Sequence, residues 1–144
     1  MKIGELARQT GVGNATIRYY EREGLLCPPA RTAAGYRSYG AEAIERLQFI
    51  RHCRLLDMSL GDVRRLLALS GERSAPCEEV NSLIDAQLER VRAKRRELEV
   101  LERQLAGLSA RCRTRRRVAD CGIVGELMHA AHGEKCACHP RKAV

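Results

Sequence analysis

Ile84, Val91, Leu98, Leu105 and Cys112 recur every seven residues, and Leu101 and Leu108 fill the second position of the same seam. A seven-residue apolar period sustained over four heptads marks a coiled coil, because it keeps one stripe facing a partner helix. Gln87 and Lys94 occupy earlier seam positions and Leu88 sits beside the stripe, so the seam is better ordered in its C-terminal half. Roughly 32 residues of amphipathic helix have no other visible core to pack on. A second copy of the chain is the expected partner.

Cysteines mark both ends of this helix. Cys77 opens it, Cys112 closes it, and Cys121 follows after eight intervening residues. At about 1.5 Å of rise per residue, Cys77 and Cys112 stand roughly 50 Å apart in one chain. Thiolates sharing a metal have bonds of about 2.3 Å and must lie within a few Å of one another. One chain cannot gather the three sulfurs, whereas an antiparallel dimer can, since the helix start of one copy meets the helix end of the other. Cys112 also suits the seam as a small buried hydrophobe, and that reading stays open. For ligation speak the position of Cys77 in a first helical turn and the five arginines between Arg111 and Arg117, both of which favour thiolates. Three thiolates without an evident fourth ligand suit a soft cation.

The 144 residues carry 44% hydrophobic but only 3% aromatic side chains, a balance that favours helices over sheets. Seven cysteines, an odd number, argue against a fully paired disulfide framework. No apolar run approaches the roughly 20 residues needed to span a bilayer. The first residues lack the apolar region of a signal peptide, so a cytoplasmic protein with no membrane partner is expected. A net charge of +8 suits nucleic acid or an acidic membrane without deciding between them. No placed base and nucleophile is evident, so an enzyme is not expected.

Ahead of the coil, residues 3–10 put Ile3, Leu6, Ala7 and Thr10 on one helical face, and Gly11 stops them. A second helix runs from Asn14 to Glu23 and Gly24 ends it, making a helix-turn-helix candidate. Pro28-Pro29 forbids helix, and Tyr36 to Tyr39 alternate as a small hairpin, or wing, with Ala33-Ala34-Gly35 near its tip. Helix returns over about 41–56, with Ile44, Leu47, Ile50 and Leu55 expected to point inward. Ser59 with Asp62 resembles a capping box for another helix to about Ser70. The pattern dissolves into a loop over 113–120, and Cys121 to His132 suit a last short helix. Thr16, Arg18, Tyr19 and Tyr20 fall on the second helix, and Tyr36, Arg37 and Tyr39 on the wing. Arginine reads guanine edges or neutralises phosphates, and tyrosine hydroxyls reach phosphate oxygens. The alternative is that Ile17 and Tyr20 are core and the arginines a solvated face. Residue types alone leave both open.

Ile3-Gly4-Glu5-Leu6-Ala7, Thr16-Ile17-Arg18-Tyr19-Tyr20-Glu21, Glu23-Gly24-Leu25-Leu26, Tyr36-Arg37 with Tyr39, and Glu45 to Arg51 continuing through Leu56-Asp57-Met58-Ser59-Leu60 together resemble the MerR family of bacterial transcription regulators. The match runs in order to about residue 125. Around Phe49 to Ser59 and Cys77 to Asp85 it is most similar to the cadmium- and lead-responsive branch. The resemblance implies a mainly α fold: a winged helix-turn-helix DNA-binding domain over residues 1–75, an antiparallel coiled-coil dimerisation helix over 76–111, and a metal-binding loop and short helix over 112–132. The stretch over 133–144 lies beyond the match and is expected to be a flexible tail. It implies DNA contact by Arg18, Tyr36 and Arg37, and leaves open which of Tyr19, Tyr20 and Tyr39 pack inside. It favours metal ligation by Cys77, Cys112 and Cys121.

Copper sensors of the family carry an uncharged residue at the position of Cys77. Zinc sensors carry a histidine or extra cysteine in the loop, where 113–120 has neither. Cadmium(II) and lead(II) therefore rank first as effector, and mercury(II), suggested by Cys77-Glu78-Glu79, ranks second. Cys136, Cys138 and His139 form a candidate secondary metal cluster. The implied mode of action is activation of a heavy-metal resistance promoter by a homodimer that distorts its DNA, so that RNA polymerase engages it. A redox-sensing regulator would gather four cysteines in a cluster, which the spacing disfavours. A multidrug-type regulator would need a large domain beyond residue 125.

Overall fold

The computed structural model describes residues 1–111 and 117–129. In order they form α1 (Ile3–Thr10), α2 (Asn14–Arg22), β1 (Ala30–Arg31), β2 (Arg37–Ser38), α3 (Ala41–Leu55), α4 (Leu60–Ser70), α5 (Glu78–Ala110), a 3₁₀ turn (Val118–Asp120) and α6 (Gly122–His129). The mainly helical class, the helix-turn-helix and the long following helix are as the sequence led one to expect. Among the described residues no helix is long and apolar enough to cross a membrane.

The chain divides into two units, one of Met1–Leu88 and a second beginning at Glu89. In the first unit Leu6, Ile17, Leu25, Leu47, Ile50 and Val63 are fully buried in one cluster. Each such side chain contributes about 1.5–3 kcal/mol by leaving water. Gly11 closes α1 in the left-handed region at φ 69°, where a side chain would also crowd the Arg51 guanidinium 3.1 Å away. Arg51 Nη1 in turn donates to Thr10 O at 3.2 Å, tying α3 to the helix-turn-helix turn. Ser59 caps α4 by accepting from Asp62 N at 3.1 Å, as its sequence signature suggested.

Two expectations about helix faces change. The inward face of α3 is Leu47, Ile50 and Cys53, with Ile44 partly buried beside them. Leu55, expected to point inward, is 72% exposed, because two residues past Cys53 a helical side chain has turned to another face. Gln87, assigned to the coil seam, is only 6% exposed and its Nε2 donates to Leu56 O at 2.9 Å. Val80 and Leu83 pack against the same N-terminal core, so the first turns of α5 serve that unit before any coil begins. Further along, Leu98, Leu101 and Leu105 are exposed in the single chain.

In the second unit, α6 starts against the end of α5. A Cβ on Gly122 would lie 2.9 Å from Arg111 O, closer than such contacts are found. Arg111 Nε stands 3.0 Å from Glu126 Oε2, an ion pair between the same two elements.

Candidate nucleic-acid interface and metal-ligating cysteines

The wing is a two-stranded antiparallel hairpin in which Ala30 faces Ser38 and Arg31 faces Arg37. Its turn is closed by Thr32 N to Tyr36 O and Gly35 N to Thr32 O, each 2.8 Å, and Gly35 takes φ 81° to make it. Like charges directly opposite across an antiparallel pair destabilise it. Arg31 and Arg37 therefore work against the hairpin they sit on, which points to an anion that both meet.

α2 supplies the facing wall. Ile17 and Tyr20 turn into the core while Thr16, Arg18 and Tyr19 remain exposed. Between α2, the wing and the N-terminal segment lies a cleft of about 410 Å³ lined by Lys2, Ile3, Arg18, Arg31, Gly35, Tyr36 and Arg37. Four of those seven residues are cationic and none is acidic. Lys2 Nζ sits 5.9 Å from the centre of the Tyr36 ring, within range of a cation–π contact, and Tyr36 itself is 67% exposed. Such a surface neutralises backbone phosphates and leaves a tyrosine hydroxyl and arginine forks free to hydrogen-bond them.

The structure separates the candidate tyrosines. Tyr19 and Tyr36 face solvent, whereas Tyr20 is 8% and Tyr39 4% exposed. Tyr39 Oη donates to Glu21 Oε1 at 2.6 Å. Burial, reinforced by that bond and by the Glu21 charge, pushes the Tyr39 phenol up to about 12. Both rings pack in the N-terminal core, and the Tyr39 hydroxyl ties the end of the wing to α2. Lys2 and Arg31 were not singled out from the sequence. The signal for Arg31 lay in the hairpin register, since pairing Ala30 with Ser38 puts it across from Arg37.

Of the three cysteines expected to hold metal, two are described. Cys77 is exposed, and its carbonyl accepts from Asn81 N at 2.9 Å, so it sits at the mouth of the first turn of α5. Cys121 is half-buried, between the 3₁₀ turn and α6, with Cys121 N donating to Val118 O at 3.1 Å and Cys121 O accepting from Gly125 N at 2.9 Å. Cys112, Cys136, Cys138 and His139 lie outside the described residues. Among the described residues no three metal-ligating side chains are gathered together. The donor chemistry, thiols at both ends of a 33-residue helix, suits a soft cation. Cys53 is buried in α3, and burial raises its thiol above the ordinary value, which suits an inert core residue. Cys27 is exposed.

Two family models match the chain, one described as the MerR HTH family regulatory protein over residues 1–70 and one as MerR, DNA binding over residues 44–108. The chain is 36% identical over 127 residues to the mercuric resistance operon regulatory protein of Bacillus cereus, covering 88% of this chain and 96% of that one. It is also 36% identical over 139 residues to the HTH-type transcriptional regulator ZntR of Escherichia coli K12, covering 95% and 99%. Among solved structures it is similar to the transcription regulator PbrR691 from Ralstonia metallidurans CH34 in complex with lead(II). That likeness has a TM-score of 0.75 and 43% identity, covering 88% of this chain and 98% of that one.

Proposed function

The chain belongs to the MerR family of helix-turn-helix regulatory proteins, and on that premise we propose that it is a homodimeric activator of a heavy-metal resistance promoter, responsive to cadmium(II) or lead(II). The family is one of DNA-binding regulators, not of enzymes. The observation that carries DNA binding is the acid-free cleft in which Arg31 opposes Arg37 beside Arg18 and Lys2. Arg18 and Thr16 on α2 meet one stretch of duplex, while Tyr36, Arg37 and Arg31 on the wing hold the adjoining phosphates. The exposed seam leucines of α5 support a second copy as the partner that covers them.

Cys77 of one copy, with Cys112 and Cys121 of the other, would hold the metal. The unbroken helix from Glu78 to Ala110 supports ligands drawn from two chains. A metal held between copies favours one dimer arrangement over another, and only that difference in affinity can shift the balance. The favoured arrangement bends and untwists the promoter, so RNA polymerase acts on the altered DNA with no surface of its own required on this chain. The lead complex of PbrR691 supports lead. Mercury(II) is the second reading, favoured by the Bacillus cereus relative and by Cys77-Glu78-Glu79.

A mixed dimer of Cys77→Ser with Cys112→Ser/Cys121→Ser chains tests the ligand set. With ligands drawn from two chains, both defects fall at one end and one intact three-sulfur site remains. With ligands drawn from one chain, no intact site remains. Titration followed by ultraviolet thiolate-to-metal absorption should find one tight site per mixed dimer and none in either mutant homodimer. A folded mixed dimer with no tight site would overturn the proposal. Promoter-reporter induction across cadmium, lead, mercury and zinc ranks the effectors.

A further inference from the structure

Arg64 and Arg65, successive residues on α4, reach in different directions. Arg64 Nη2 donates to Glu23 O at 2.9 Å and lies 3.7 Å from Glu23 Oε2. Glu23 caps the C-terminus of α2, the helix that carries Arg18. Arg65 grips Glu79 with two parallel bonds, Nε to Oε1 and Nη2 to Oε2, the second at 2.7 Å. Glu79 lies in the first turn of α5, two residues after Cys77. The bond from Asn81 N to Cys77 O makes Cys77 part of that same turn. As successive residues of one helix, Arg64 and Arg65 move together with α4, whose Val63, Leu66 and Leu69 are buried.

We propose that Arg64 and Arg65 form a polar strut that passes the position of the Cys77 turn to the end of α2, and hence to the DNA-contacting face. The inference rests on the reading of Cys77 as a metal ligand. A forked pair of this kind fixes the plane of the carboxylate as well as its distance. A shift of the first turn of α5 therefore pulls on Arg65, and α4 presents that pull to Glu23 through Arg64. All four side chains are about half exposed, and exposed ion pairs add little to global stability. Their value here lies in direction: two arginines on one helix connect a ligand-bearing turn to the helix that faces DNA. Unlike a packed core contact, the strut can be cut without unfolding the unit.

The test uses the full chain as wild type, Arg65→Ala, Glu79→Ala, Arg64→Ala and the reversed pair Arg65→Glu/Glu79→Arg. Cadmium(II) affinity is read from thiolate-to-metal absorption, and amide hydrogen exchange is followed at Glu23, Gly24 and Leu25 with and without cadmium(II). Those amides are bonded to Tyr19 O, Glu21 O and Tyr20 O, so their exchange reports on the end of α2. In wild type, cadmium(II) should change their protection by about five-fold or more, the low end of ordinary coupling between sites. The three single variants should bind cadmium(II) as wild type does but lose that change, and the reversed pair should regain it. Single variants that keep the full change would overturn the strut, as would a wild type that binds cadmium(II) without any change at α2. A wild type that forms no thiolate–cadmium(II) complex would overturn the metal-site reading itself, and the strut's role with it.

Discussion

Tyr39 Oη donates a hydrogen bond to Glu21 Oε1 at 2.6 Å, so the residue that follows β2 is bolted to α2 by its side chain. Its backbone is held as well, with Tyr39 N donating to Met1 O at 2.9 Å. α2, the wing and the N-terminal segment, the three walls of the cationic cleft, are thereby kept in one fixed relation. A buried tyrosine thus sets the geometry of the exposed cations around it.

Replacing Tyr39 with Phe keeps the buried ring and removes only the bond. Glu21 then loses a partner to its charged group, which costs about 1–2 kcal/mol. Urea unfolding should show that loss, and DNA affinity should fall although the ring faces no DNA. Full stability and full affinity in Tyr39→Phe would sink this account of the wing.

The same bond sets an alkaline limit. The folded-state pKa of Tyr39 is raised from 10.0 to about 12, so the folded chain holds this proton more tightly than the unfolded one. Its contribution is complete below pH 10.0 and is lost as pH rises through about 12. Tyrosinate absorbance should show a late step that Tyr39→Phe abolishes. The same titration curve in wild type and Tyr39→Phe at high pH, apart from the amplitude of one ordinary tyrosine, would contradict the burial of Tyr39.

DNA affinity should fall steeply with salt, since phosphate neutralisation releases counterions. Arg18→Ala, Arg31→Ala and Arg37→Ala should each weaken binding across sequences or lower the salt slope by about 1. Binding isotherms at several ionic strengths decide this. Arg31→Ala carries an added signature: by relieving repulsion from Arg37 it should stabilise the wing while weakening DNA binding.

Leu101→Lys would place a charge in the dimer seam, at a cost of several kcal/mol unless the helices part. Sedimentation should find monomer or loss of fold. A stable DNA-binding dimer would show that some other surface joins the copies.

Gly122→Ala places a Cβ 2.9 Å from Arg111 O, so the start of α6 must shift from the end of α5. Overpacking of this kind costs about 1–3 kcal/mol. Hydrogen exchange should rise at the amides of Cys121 and Gly125, while the first unit, Met1–Leu88, stays protected. Unchanged exchange at both amides would show that this contact does not hold the second unit.

Local pattern alone determined the helices. Apolar spacing, Gly11 and Gly24 as stops, and Ser59 as a cap put the boundaries of α1 to α5 within a residue or two, because those signals act over one or two turns. The long helix α5 was equally legible, since its pattern is a matter of spacing along one helix. Which face of a shared position wins was not legible. Tyr20 and Tyr39 carry the same chemistry as Tyr19 and Tyr36, and only packing against Leu25, Leu47 and their neighbours sends the first pair inside. Gln87 looks like a coil residue until Leu56 O offers its side chain a partner. The meeting of Lys2 and Arg31 with Arg18 depends on long-range folding, as does the reach of Arg64 and Arg65 to Glu23 and Glu79. Contacts between residues 14 to 41 positions apart leave no periodic trace in a sequence. They arise only when the buried core fixes the helices that carry them.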